Sequence, residues 1–236
     1  MIEAIAKIKL NDKATWVNSD PIAVSAGELL KYGKRLENFD YFSQKTILVL
    51  SIIPDDFDFS YVELLEGFFK KVKDKKNLIL TSSDCACYQD KQKWCDEELD
   101  YLMVDNKELL ENYPFSIGLL KGYDADSYEK VRKSLEKKVQ NYLVYISGES
   151  RSNPRYFSLS KFFQEKFPSG LDKSVYLHGC SLKQMQDIPK LNITMKGIIT
   201  AGHITEAIYR GNPHYKRETR IKSTWNKWEQ AIKSVV

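Results

Sequence analysis

Short β-branched runs, each stopped by a polar turn and followed by an amphipathic segment, recur along the chain, and this alternation most constrains its fold. Residues 46–53 form such a run before Pro54-Asp55-Asp56, and 77–80 form another before Thr81-Ser82-Ser83-Asp84. Residues 115–120 end in Lys121-Gly122, and 142–146 end in a loop with Arg151 and Arg155. Residues 174–177 lead to His178-Gly179, and 196–200 to Gly202-His203. Runs that are apolar without alternation are strands buried on both faces, as in parallel sheets. Between them, Val62, Leu64, Leu65, Phe68 and Phe69 mark an amphipathic helix over 59–73, and Phe157, Phe162 and Phe163 mark another over 157–167. Residues 94–103, 106–111, 182–187 and the last twenty, with Trp225 and Trp228, also read as helical. Residues 2–10 alternate like a strand, and 22–35 read as a short helix. Strand and helix in alternation predict an α/β protein with mainly parallel strands and right-handed crossovers.

The chain has 236 residues, enough for one large domain or two of roughly 110 residues each. The charge-dense stretch 124–140 reads as helix or linker and places a joint between 1–124 and 125–236. The expectation is two Rossmann-like halves whose mainly parallel sheets face a central cleft. With 42% hydrophobic and 29% charged residues the composition is globular. A formal charge of +4 permits a polyanionic partner without demanding one. No apolar run approaches the roughly 18 residues of a membrane span, and the N-terminus has no signal-like apolar core. Cys85, Cys87, Cys95 and Cys180 are therefore expected as reduced thiols in a cytoplasmic protein. Cys85, Cys87 and Cys95 with His178 match no standard zinc spacing, and no metal ligands are assigned.

The segment Tyr145-Ile-Ser-Gly-Glu-Ser-Arg-Ser-Asn-Pro-Arg155 is the most specific local feature. A strand, a polar loop and a helix in succession offer backbone N–H groups and a helix dipole to an anion. Two guanidinium forks four residues apart suit bidentate contact with phosphate. An exposed loop with two solvated arginines is the plainer alternative, and no Walker or GxGxxG signature accompanies the loop. Ligands of open α/β sheets sit at the carboxyl ends of strands, where Asp55, Asp56, residues 82–84, 148–155, His178, Gly179, Gly202 and His203 all fall. A carboxylate facing arginines across a cleft suits group transfer from a diphosphate donor: the arginines neutralise the leaving group and the carboxylate deprotonates an acceptor hydroxyl. For Asp84, a role as an ordinary helix cap stands beside that of a base.

Arg151 and Arg155 in their Gly/Ser-rich loop resemble the donor-diphosphate loop of the bacteriophage DNA β-glucosyltransferases, enzymes of GT-B fold that carry glucose from UDP-glucose to 5-hydroxymethylcytosine in duplex DNA. Tyr176-Leu-His-Gly179 is similar to that family's aromatic-Gly element, and Lys183-Gln184 and Pro189 follow as they do there. In the N-terminal half, Thr81-Ser-Ser-Asp84 through Trp94, and then Lys107-Glu-Leu-Leu110, are similar to a Thr/Asp turn, a tryptophan and a Glu-Leu-Leu run. The likeness spans roughly residues 40–200, and its Asp84 match requires a one-residue shift. Gly211-Asn-Pro-His-Tyr215 with Glu218 and Arg220 stands where the family has a donor-binding Tyr, Arg and Glu, at a different spacing.

The resemblance implies a GT-B-like, UDP-sugar-dependent glycosyltransferase. Asp84 would be its general base. Gly148, Ser150, Arg151, Arg155, Gly179, Tyr215, Glu218 and Arg220 would bind the donor, UDP-glucose by analogy. A divalent cation (Mg or Mn) is compatible with that chemistry. The implied partners are a nucleotide sugar and duplex DNA, the latter through Lys216, Arg217, Arg220 and Lys222, for which a solvated amphipathic helix is the alternative. No membrane partner is expected, and a monomer is. Two further readings stay open. One is a non-catalytic DNA- or nucleotide-binding protein on the same scaffold. The other is a different phosphate-loop α/β enzyme acting on nucleosides or bases, hinted at by His178-Gly-Cys180 and Gly202-His203.

Overall fold

A computed structural model describes residues 2–33, 35, 40–50, 77–85, 87, 92–112, 117–146, 158–212 and 214–235. Eight strands run through them: β1 (Glu3–Lys7), β2 (Ile22–Ser25), β3 (Ile47–Leu50), β4 (Leu78–Leu80), β5 (Gly118–Leu120), β6 (Asn141–Tyr145), β7 (Ser174–His178) and β8 (Met195–Thr200). All paired neighbours are parallel, and the sheet order is β4-β3-β2-β1-β8-β7-β6-β5. The two ends of that order also meet. Thr81, just after β4, bridges in parallel to Ile117, just before β5. The Ser82 N–H donates to the Ile117 carbonyl at 2.8 Å, and the Ile117 N–H donates to the Leu80 carbonyl at 2.6 Å. Eight parallel strands in chain order whose ends meet form a closed parallel barrel, the strand arrangement of (β/α)8 folds.

The parallel α/β expectation therefore holds, but the strands belong to one sheet rather than to two facing a cleft. Both architectures produce the same alternation of buried runs and helices, so periodicity does not separate them. The expected joint at 124–125 falls in the connection between β5 and β6, which are hydrogen-bonded neighbours. The expected helix over 22–35 is a four-residue strand leading directly into a helix, with Ser25 capping it through the Glu28 N–H.

Side-chain alternation sorts the strands into two apolar layers. Ile5, Ala23, Leu48, Leu50, Ile117, Leu119, Leu143, Tyr176 and Ile199 pack together inside the barrel. Ala4, Ala6, Val24, Val49, Val144, Leu177 and Ile198 point outward against the helices. Gly197 makes room inside: a Cβ there would lie 3.0 Å from the Tyr176 ring.

Around the barrel lie α1 (Ala26–Tyr32), α2 (Asp40–Ser43), α3 (Gln92–Asn112), α4 (Ala125–Leu135), α5 (Leu159–Lys166), α6 (Leu182–Met185), α7 (Gly202–Tyr209) and α8 (Arg217–Lys233). The charge-dense stretch is α4, which begins with a capping box between Asp124 and Ser127 and buries Tyr128, Val131 and Leu135. Its charges occupy the outer face, which is why the segment reads as a linker. The basic C-terminal helix is α8, whose Ile221, Trp225, Trp228 and Ile232 recur at helical spacing and are buried. The expected helix over 59–73 lies outside the described residues.

Candidate functional site at the barrel mouth

The inner rows of the strands run out into polar residues at the carboxyl ends, the face on which (β/α)8 enzymes carry their chemistry. Lys7 follows Ile5 in the inner row of β1. Lys121 follows Leu119, Tyr145 follows Leu143, and His178 follows Tyr176. Asp84 stands just beyond β4.

Asp84 and Lys121 form an ion pair of 3.0 Å between Oδ1 and Nζ, with side-chain exposures of 18% and 20%. Burial disfavours the Lys121 ammonium, but the charge and hydrogen bond of Asp84 outweigh it and raise its pKa. The Lys121 ammonium also stands 5.7 Å from the centroid of the Tyr145 ring, and that ring lies 4.8 Å from the imidazole of His178. A continuous arc of contacts thus runs around the mouth from β4 to β7.

The turn that carries Asp84 is tied down on two sides. Ser82 Oγ accepts the Leu119 N–H at 2.7 Å, which links it to β5. Buried Asn106 of α3 accepts the Ser83 N–H at 2.7 Å, which links it to the surrounding helices. Asp84 is thereby presented at a strand end, as its position in the sequence suggests. Its partner is the feature that sequence reasoning missed: Lys121 reads as the end of a strand, and only the barrel register brings it beside Asp84.

His178 is 8% exposed, and its Nδ1 is buried with no hydrogen-bond partner among the described residues. Burial, with a smaller contribution from the Lys7 charge, lowers its pKa to about 3, so the imidazole is neutral at ordinary pH. Lys7 is partly buried, and loss of hydration lowers its pKa to about 8, partly offset by Glu28. Gly179 follows His178 at φ 83°, a left-handed conformation that glycine adopts without strain, and its N–H donates to the Ile199 carbonyl at 3.0 Å.

The two histidines paired by the sequence part company here. His203 is fully buried on the outer side, edge-on to Trp225 at 5.0 Å, and burial lowers its pKa to about 4. It packs between helices and does not share the mouth with His178.

Gly148, Ser150, Arg151 and Arg155 lie outside the described residues, in the connection that leaves the mouth after β6. Asp55 and Asp56 also lie outside them. Tyr215, Glu218 and Arg220 belong to the start of α8 and the turn before it, and none of their described contacts is with Lys7, Asp84, Lys121, Tyr145 or His178. Tyr215 is exposed, Glu218 pairs with Lys222 at 2.7 Å, and Arg220 donates to the Gly211 carbonyl at 3.5 Å. Within the basic cluster, Arg217 is engaged by both oxygens of Asp12, at 2.9 and 2.6 Å. Two of the four cations expected to meet DNA thus have carboxylate partners.

Among the described residues no group of three His, Cys, Asp or Glu is placed to hold a metal. Burial pushes the Cys85 thiol up to about 12, so it is not a ready thiolate. No described helix is long and apolar enough to cross a membrane. Two described cavities, of about 250 and 560 Å³, open beside α5 and beside Trp16 and Trp225, on the outside of the barrel. No protein-family model matches the chain, and a search of curated proteins finds no match.

Proposed function

We propose that this chain is a barrel enzyme acting at the carboxyl ends of its strands on a glycosidic centre of a nucleoside or nucleotide, with Asp84 as the proton acceptor. The observation that carries this reading is the ion pair of Asp84 with Lys121 on the inner side of the mouth. A fold alone assigns no function, so the reading rests on these side chains. Lys121 fixes one carboxylate oxygen at 3.0 Å, and a carboxylate is a fitting proton acceptor for a hydroxyl or water. Oδ2 is then the oxygen that meets the acceptor hydroxyl or water. Tyr145 supplies an aromatic face beside it, of a kind that stacks on a nucleobase.

In this proposal Arg151 and Arg155 bind the anionic part of the substrate, because the connection that carries them leaves the strand end at Ile146. A small nucleoside-type substrate is favoured over duplex DNA by two observations. The described strands form one sheet rather than two facing an open cleft, and the Arg217 and Lys222 charges are already paired. Transfer from a UDP-sugar to a hydroxymethylated base in DNA uses the same base and the same arginines, and is the alternative. Calorimetry with UDP-glucose, nucleoside monophosphates and hydroxymethylated duplex DNA separates the two. Binding of the small nucleotides with no duplex binding at low salt supports the proposal. Duplex affinity that falls with salt along a log–log line favours the DNA substrate.

A further inference from the structure

We propose that Lys7 and His178 form an oxyanion-binding subsite on the side of the mouth opposite Asp84, where they take the phosphate or carboxylate group of a small substrate. This inference rests on the barrel mouth being the site of action, but not on Asp84 being a base. In the sheet order β8 alone separates β1 from β7, so Lys7 and His178 rise from next-but-one strands, and β4 lies across the barrel from β8.

The two polar lysines of the mouth differ in one respect. Lys121 has its carboxylate, whereas Lys7 makes no ion pair among the described residues. Glu28 acts on Lys7 through space, but its Oε2 already accepts the Leu10 N–H at 2.9 Å. Two strands from Lys7, in the same inner rows, stands the imidazole of His178, whose buried Nδ1 meets no partner among the described residues. Among the described residues the partly dehydrated ammonium has no ion-pair partner and the buried ring nitrogen has no hydrogen bond; each carries a free-energy penalty. An oxyanion relieves both, because it brings the negative charge and accepts an N–H bond from the imidazole. A metal cation would face the Lys7 charge, and a neutral ligand would leave that charge uncompensated. The arc of contacts from Asp84 through Lys121 and Tyr145 to His178 then leads from a reacting end to an anchoring end.

The test uses the full chain with inorganic phosphate and acetate as probes, and binding is followed by the chemical shifts of His178 and by thermal stabilisation. Lys7→Met should weaken binding at least tenfold and His178→Gln severalfold, while Lys137→Met in the exposed turn after α4 leaves it unchanged. Asp84→Asn should also retain binding, so a failed reaction and a failed anion site give different results. Preference for phosphate assigns a phosphoryl group, and preference for acetate assigns a carboxylate. In the wild-type chain, either bound anion should slow reductive methylation of Lys7 read by mass spectrometry. The proposal is overturned if neither anion binds, if both variants bind like the wild type, or if Lys7 methylation is indifferent to both anions.

Discussion

Lys121 Nζ lies 3.0 Å from Asp84 Oδ1, and this contact joins the ends of β4 and β5, the strands that close the barrel. One pair therefore serves the site and its framework together. Lys121→Met should leave a partly buried carboxylate without its cation. The expected cost is about 1–3 kcal/mol, below that of breaking a fully buried pair because both side chains keep some exposure. Urea denaturation of the variant beside Asp84→Asn and the double variant measures the coupling, and strict additivity would show that the pair contributes nothing.

Asn106 positions the turn that carries Asp84 without standing in the mouth itself. Asn106→Leu removes the acceptor of the Ser83 N–H and leaves that group buried. A loss of roughly 1–3 kcal/mol is expected for a buried donor left unmade. Slower hydrogen exchange at Ser83 than at solvated loop amides in the wild type, lost in the variant, checks this directly.

Gly202 sits against the Trp228 ring, and a Cβ there would come 2.5 Å from Cζ2. Gly202→Ala should push α7 away from α8 at a cost of about 1–3 kcal/mol, the range for overpacking. The tryptophan emission should shift to the red with the loss of stability. An unchanged spectrum and midpoint would place the two helices further apart than described here.

Much of the fold was legible because burial on both faces leaves an unbroken apolar run, as in 46–50 or 142–144. β2 was not, because its four residues merge with the apolar pattern of α1. Closure was not legible either, since it depends on one bridge between Thr81 and Ile117 rather than on any composition. In the site, Asp84 was visible from its place after a strand. Lys121 and Lys7 were not: a lysine at a strand end reads as solvated, and only barrel curvature turns both inward. His203 misled in the opposite sense, since a histidine after a strand is as readily packed on the outside as turned toward the mouth.

Stability should fall in mild acid because of the two buried histidines. Their folded pKa values, about 3 for His178 and about 4 for His203, lie below the ordinary value of 6.5. Between those limits the unfolded chain binds protons that the folded chain does not, so stability rises with pH. The contribution is complete above pH 6.5 and is lost progressively as pH falls toward about 4 for His203 and about 3 for His178. The slope approaches about 1.4 kcal/mol per pH unit for each histidine in that window. His203→Gln and His178→Gln should each flatten the pH dependence of the urea midpoint. A slope unchanged in both variants would assign the acid sensitivity to other groups.

The most direct measurement is turnover of a panel of nucleosides, nucleotides and UDP-sugars by the wild-type chain and by Asp84→Asn, with released base or nucleoside diphosphate separated by chromatography. Asn keeps the shape of the side chain and loses the charge, so folding and anion binding should persist. Turnover in the wild type that drops about 10²–10⁴-fold in Asp84→Asn is the expected result for the loss of a general base. Equal turnover in the two proteins, or none in a wild-type chain that binds these ligands, would contradict the assignment of Asp84 as the proton acceptor of a glycosyl-transfer site.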